Sequence, residues 1–141
     1  MHIDTAHYLR PARYLLLGCA NPGQSGTHTR LAPISALRFS TGELSLLTSA
    51  AVLVRTGRRS FYSTILDKGR PFLRYDPGCM EPLDARGEKA LQIVGDAIGR
   101  ITVIKHEWRR GEILLIDNWN ILHGRTATAA DKRLLFRVSV K

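Results

Sequence analysis

From Arg133 to Val140 the chain reads RLLFRVSV, with Leu134, Phe136, Val138 and Val140 at its even-numbered positions and Arg133, Leu135, Arg137 and Ser139 at the odd ones. Successive side chains of a strand point to opposite faces, so strict alternation fits a half-buried β-strand, whereas helical apolar positions recur every three or four residues. The same geometry puts both arginines on one side, about 13 Å apart at a rise of about 3.3 Å per residue. If that side faces a barrel interior, one arginine is placed to clamp the far carboxylate of a dicarboxylic acid, with the other nearer the reacting centre.

Other short runs share this character. The segment Arg13 to Ala20 is largely apolar and stops at Asn21-Pro22-Gly23, as a buried strand ended by a turn would. Phe61, Ser63 and Ile65 alternate with Tyr62, Thr64 and Leu66 between Ser60 and Leu66, and Pro71 to Tyr75 ends at Asp76-Pro77-Gly78. Further strands are expected at Ile101 to Ile104, Ile113 to Ile116 and Ile121 to His123. Helical signals are fewer. Pro33 suits the first turn of a short helix through Leu37, and Ser40 or Thr41 suits the cap of another. Ala90, Leu91, Val94, Ala97 and Ile98 recur at helical spacing, with Gly99 as a stop. Short strands separated by turns predict a mainly β chain with a few helices, a sandwich or barrel forming a single domain over residues 1–141.

Composition narrows the function classes. A hydrophobic share of 44% with 23% charged residues argues against wholesale disorder. The apolar runs are too short to span a bilayer, and no signal peptide follows Met1, so the cytoplasm is the expected compartment. Cys19 and Cys79 form no CxxC pair and fit buried thiols. The net charge of +9 raises nucleic acid as a partner, but the arginines are scattered. Arg58-Arg59 follows Gly57 and Arg109-Arg110 precedes Gly111, which suits turn edges better than a binding stripe.

The candidate chemistry lies at the two ends of the chain. His2 and Asp4 are two apart and share a face if the backbone is extended. His123, anchored by Ile121 and Leu122, is a candidate third ligand. Two histidines and a carboxylate on one face of an octahedral ion leave the other positions open, the arrangement of non-haem Fe(II) oxygenases. Taken singly, His123 is an ordinary strand histidine, the arginines are a solvated strand face and Thr29 is a loop residue. Arg74 and Arg125 are further candidates for substrate contact, with a structural role as the alternative.

His2-x-Asp4, Thr29 after the Gly26-containing loop, the segment GEILLIDNWNILHGR and the paired arginines together resemble the TauD/TfdA-like family, the taurine dioxygenase and clavaminate synthase-like enzymes. The resemblance implies a double-stranded β-helix (a jelly-roll, cupin-like barrel) that uses Fe(II) and takes 2-oxoglutarate as cosubstrate. It implies His2, Asp4 and His123 as iron ligands, and Thr29 and Arg133 as partners of the distal carboxylate of 2-oxoglutarate. Arg137 would meet the metal-proximal carboxylate or an anionic substrate group. The expected reaction is hydroxylation of a small anionic or amino-acid-like substrate by molecular oxygen, with release of succinate and carbon dioxide. Family members usually carry a segment with a β-helix strand before the HxD motif, whereas this chain opens one residue ahead of it. A barrel lacking its first strand is therefore expected, with a homo-oligomer or partner chain supplying the missing edge. The alternative is an inactive or split-enzyme module that binds an anionic ligand or a partner subunit.

Overall fold

The computed structural model describes residues 1–24, 26–126 and 132–141, and among these described residues it has nine strands and two α-helices. Strand β1 (Tyr14–Asn21) and β2 (His28–Pro33) lead to α1 (Thr41–Ser49), then β3 (Val52–Thr56), β4 (Arg59–Ser63) and β5 (Met80–Pro82). Helix α2 (Ala85–Gly99) follows, then β6 (Ile104–Glu107), β7 (Ile113–Asp117), β8 (Ile121–Arg125) and β9 (Leu134–Val140). All strand pairings are antiparallel, in three sheets ordered β7-β1-β9, β6-β2-β8 and β4-β3-β5.

The first two sheets form the barrel. Leu15, Leu17 and Cys19 of β1 and Ile116 of β7 share one buried cluster with Trp108, against which Leu31 of β2, Ile121 of β8 and Leu135 of β9 pack. The third sheet and both helices form a larger apolar cluster beside it, built on Val52, Val54, Ala90, Val94 and Ala97. Ser40 and Glu43 make a reciprocal capping box on α1, which satisfies two otherwise orphaned N–H groups. Asp84 caps α2 through the Gly87 N–H at 2.8 Å. Gly87 itself is fixed by packing, since a Cβ there would lie 2.8 Å from the Ala51 carbonyl oxygen.

The strand at Arg133 to Val140 forms as its alternation predicts, with Arg137 and Ser139 turned inward to Asp4. Its apolar side faces out: Leu134, Phe136, Val138 and Val140 are all exposed. Three expectations need correction. Residues 71–75 form no strand, because Arg74 N–H and Tyr75 C=O bond separately to Ile65 and Ile3 and build no ladder. The strand expected at Ile101 begins at Ile104, where pairing with Leu31 starts, while Ile101 packs on the larger apolar cluster. Pro33 ends β2 opposite Ile121, so only a single 3-10 turn, Ile34–Ala36, follows. Ser25 in the expected loop lies outside the described residues. Both arginine pairs do sit at turns, beside Gly57 and Gly111 with φ of 54° and 84°, a left-handed conformation that suits glycine. Cys19 and Cys79 are free thiols. Among the described residues no helix is long and apolar enough to cross a membrane.

Candidate functional site

His2 and His123 exchange both backbone hydrogen bonds, His2 N–H to His123 C=O at 2.8 Å and His123 N–H to His2 C=O at 2.9 Å. A hydrogen-bonded antiparallel pair projects its two side chains to the same face. Their rings accordingly stand with centroids 4.7 Å apart. The ends of the chain meet here because β8 pairs with β2 and carries His123 opposite Leu31, while Ile3 N–H bonds to Tyr75 C=O at 2.9 Å. Close contact seals the join, since a Cβ on Gly124 would lie 3.1 Å from the Met1 sulfur.

Asp4 is held by main chain and side chain alike. Asn118, fully buried, accepts from Asp4 N–H at 2.6 Å and donates to the Asp4 and Ala12 carbonyls at 2.9 and 2.7 Å. The carboxylate of Asp4, 6% exposed as a residue, accepts from Arg137 at 3.0 Å and from the Ser139 hydroxyl at 3.2 Å. Thr5 follows with φ of 56°, a conformation that is an outlier for a β-branched residue. Its hydroxyl accepts from Ala12 N–H and donates to Asp4 C=O. Arg74, 1% exposed, clamps the same segment by donating to the carbonyls of Ala6, Tyr8 and Leu9, with its guanidinium over Phe61 and Phe72. Of its two readings the structural one is therefore seen. Burial lowers its pKa to about 10, which leaves it charged at neutral pH.

The electrostatics leave both imidazoles neutral. Burial, reinforced by the neighbouring His2, takes His123 down to about 4. Burial also lowers His2. Among the described residues, Nδ1 of His123 is buried with no side-chain hydrogen-bond partner.

Two cavities meet at this place. One of about 170 Å³ lies between the sheets, lined by His2, Thr29, His123, Arg133, Leu135 and Arg137 among others. The other, about 470 Å³, is lined by His2, Asp4, Tyr8, Asp76, Arg137 and Ser139 among others. His2 and Arg137 thus form the partition. Thr29 is buried, and its Oγ1 accepts from Trp108 Nε1 at 2.8 Å.

His2, Asp4, Thr29, His123, Arg125, Arg133 and Arg137 therefore each line one or both cavities, whereas Arg74 lines neither, and the donor atoms of the candidate ligands do not all converge. Among the described residues no group of three or more His, Cys, Asp or Glu side chains is arranged to hold a metal ion. The carboxylate of Asp4 is turned to Arg137 and Ser139 instead. Sequence reading missed Trp108, Ser139, Asp76 and above all Asn118. A buried asparagine that brackets two main-chain segments leaves no periodic signal in a sequence.

Comparison with known proteins follows the same lines. The sequence profile of the taurine catabolism dioxygenase TauD, TfdA family matches residues 41–139. No curated protein sequence matches the chain. Among solved structures, an asparagine oxygenase in complex with Fe(II), 2S,3S-3-hydroxyasparagine and succinate superposes with a TM-score of 0.82 at 21% identity, over 99% of this chain and 48% of that one. The non-heme iron oxygenase OrfP in complex with Fe and alpha-ketoglutaric acid gives a TM-score of 0.73 at 19% identity, over 99% and 48%. The chain thus spans about half the length of these solved relatives, and at such identities the likeness speaks for the fold, the double-stranded β-helix. With the profile covering His123 on β8, Arg133 just ahead of β9 and Arg137 on β9, the chain belongs to the TauD/TfdA family.

Proposed function

We propose that this chain is an Fe(II)- and 2-oxoglutarate-dependent oxygenase domain acting on a small anionic or amino-acid-like substrate, with His2, Asp4 and His123 as the iron ligands. The observation that carries this reading is the reciprocal His2–His123 backbone pair, which sets two imidazoles side by side with Asp4 next along the same segment. The donor set fits the ion: two neutral nitrogen ligands and one carboxylate suit octahedral Fe(II) with positions left open. Asp4 would exchange Arg137 and Ser139 for the metal. The ligands named for the asparagine oxygenase and OrfP, iron with succinate or alpha-ketoglutaric acid, support the same assignment.

When bound, Fe(II) with 2-oxoglutarate and oxygen supplies an oxidant that hydroxylates a C–H bond and leaves succinate and carbon dioxide. The chain contributes orientation and a dry wall. Arg133 and Thr29 line the inner cavity and would hold the distal carboxylate, Arg133 through charge-assisted hydrogen bonds. Trp108 fixes the Thr29 hydroxyl, and Leu15, Leu17 and Leu135 exclude water. Arg137, on the partition, is placed for either the metal-proximal carboxylate or a substrate anion. Asp76 lines the outer cavity with Arg137, and that pair of opposite charges suits a zwitterion such as an amino acid.

The engagement of Asp4 by Arg137 favours a second reading, in which the module has ceased to bind iron and keeps only an anion pocket. Proton NMR of the chain with Fe(II), oxygen and 2-oxoglutarate separates the two. Succinate formation that requires Fe(II) and is lost in His123→Ala supports the oxygenase. No succinate above the metal-free background contradicts it.

A further inference from the structure

Among the described residues Thr5 is the one non-glycine residue with a positive φ, at 56°. That conformation suits glycine or asparagine, and for a β-branched residue it is strained. Such strain persists only where the surroundings enforce it, and it gathers at functional sites. Here it falls directly after Asp4, between two stretches of backbone that are each held. Upstream, His2 exchanges both main-chain bonds with His123, and Ile3 N–H donates to Tyr75 C=O. Downstream, the buried Arg74 guanidinium donates to the carbonyls of Ala6, Tyr8 and Leu9. Tyr8 N–H donates to Thr5 C=O at 2.9 Å and closes the turn. With both flanks fixed, the backbone dihedrals at Asp4 and Thr5 set the direction in which the Asp4 side chain leaves the main chain.

We propose that Thr5 is a positioning residue for the metal site, its hydroxyl holding the strained turn that aims the carboxylate of Asp4. The inference rests on the reading of Asp4 as an iron ligand. The hydroxyl is used twice, accepting from Ala12 N–H at 2.8 Å and donating to Asp4 C=O at 2.7 Å. Asn118 Nδ2 donates to that same Asp4 carbonyl and to the Ala12 carbonyl. Asp4 C=O thus receives two donors, and both main-chain polar groups of Ala12 are bound, which ties the two ends of the segment 4–12 together. The carboxylate held in this way lies on the cavity that His2 also lines. A fixed main chain leaves only side-chain rotation between its contacts with Arg137 and Ser139 and an ion beside His2.

The residue type separates backbone shape from the work of the hydroxyl. A position that needed only the left-handed turn would be best filled by glycine. Glycine here would remove the strain, but it would leave Ala12 N–H without this acceptor and the turn free to rotate. Valine would keep the branched shape and the strain and lose both bonds. Serine would keep both bonds.

Titration of the full chain with Mn(II), followed by the paramagnetic resonance of the free ion, tests this. Mn(II) suits carboxylate and oxygen donors in octahedral geometry and stands in for Fe(II). Loss of a group that orients a ligand weakens metal binding roughly ten- to a hundredfold. Thr5→Gly and Thr5→Val should each bind Mn(II) about tenfold more weakly than the wild type, and Thr5→Ser should bind it equally well. In Thr5→Gly the relieved strain offsets the lost bonds, so its thermal melt should stay close to that of the wild type while its affinity drops. A purely structural role would not give that split. Wild-type affinity in Thr5→Gly and Thr5→Val overturns the proposal, as does an equal loss in Thr5→Ser or an affinity that falls only together with the melting temperature. His123→Ala tests the underlying site separately, since wild-type binding must be lost there. A wild-type chain without affinity for Mn(II), or with an affinity that survives His123→Ala, refutes the iron site and this inference with it.

Discussion

Arg137 donates to the carboxylate of Asp4 at 3.0 Å, so a strand near the end of the chain occupies the one anionic ligand candidate near its start. The guanidinium is largely exposed while the carboxylate is buried, which makes the pair exchangeable at modest cost. Arg137→Ala should therefore tighten Fe(II) binding about fivefold, the equivalent of roughly 1 kcal/mol for one hydrogen bond, in anaerobic titration calorimetry. Weaker iron binding in this variant would mean that Arg137 positions Asp4 and does not compete for it.

Asn118 makes three buried hydrogen bonds that tie Asp4 and Ala12 to the end of β7. Asn118→Ala leaves those main-chain groups unpaired, at a cost of about 2–4 kcal/mol. Urea denaturation should show the loss, and iron affinity should fall with it at temperatures where the variant remains folded. A stability change below about 1 kcal/mol would show that water substitutes for the amide.

Trp108 donates its indole N–H to Thr29. Trp108→Phe keeps an aromatic ring and removes only the hydrogen bond, so stability should drop by about 1 kcal/mol. With the Thr29 hydroxyl no longer oriented, 2-oxoglutarate should bind several-fold more weakly. An unchanged dissociation constant would place Thr29 outside the cosubstrate site.

Burial, with Asp76 adding to it, pushes the Cys79 thiol up to about 12. In the unfolded chain the thiol ionises near its ordinary value of 9.0, so between these two values the unfolded state holds fewer protons than the folded one. Stability must then fall as pH rises through that window. Cys79→Ser should flatten the decline in denaturation curves measured across it. At pH 8 native Cys79 should react with iodoacetamide about a thousandfold more slowly than in urea, because only the thiolate is nucleophilic. Comparable rates in the two states would refute the shift.

Gly87 opens α2 where a Cβ would sit 2.8 Å from the Ala51 carbonyl oxygen. The neighbour is backbone and has little freedom to retreat. Gly87→Ala should lower stability by about 1–3 kcal/mol despite the better helix propensity of alanine, as read from thermal melts. A stabilised variant would show that α2 can shift outward.

The sequence made the barrel strands legible where period two or a bounded apolar run was clear, as in β1, β7 and β9. It was less informative where pairing decided the outcome. Ile101 has the residue type of a strand, yet the ladder with β2 starts only at Ile104. Residues 71–75 have strand composition, but they serve as an anchor whose bonds go to separate partners, with the buried Arg74 holding the loop after Asp4. The candidate ligands were legible because their order along the chain is distinctive, and the two cavities they line adjoin. Their supports were not. Asn118, Trp108 and Ser139 act through long-range hydrogen bonds, and a hydrogen bond between distant residues has no signature in local composition. The direction of β9 was also open in the sequence: alternation defines two faces, and only the position of Asp4 decides that the arginine side is the inner one.

The central claim is that His2, Asp4 and His123 assemble into one iron site. Anaerobic absorption spectroscopy tests it most directly, by titrating the chain with Fe(II) and then 2-oxoglutarate. The account predicts a visible metal-to-ligand charge-transfer band that appears only with both additions and is absent in His123→Ala. A chain that binds neither, or a band that persists unchanged in His123→Ala, would contradict it.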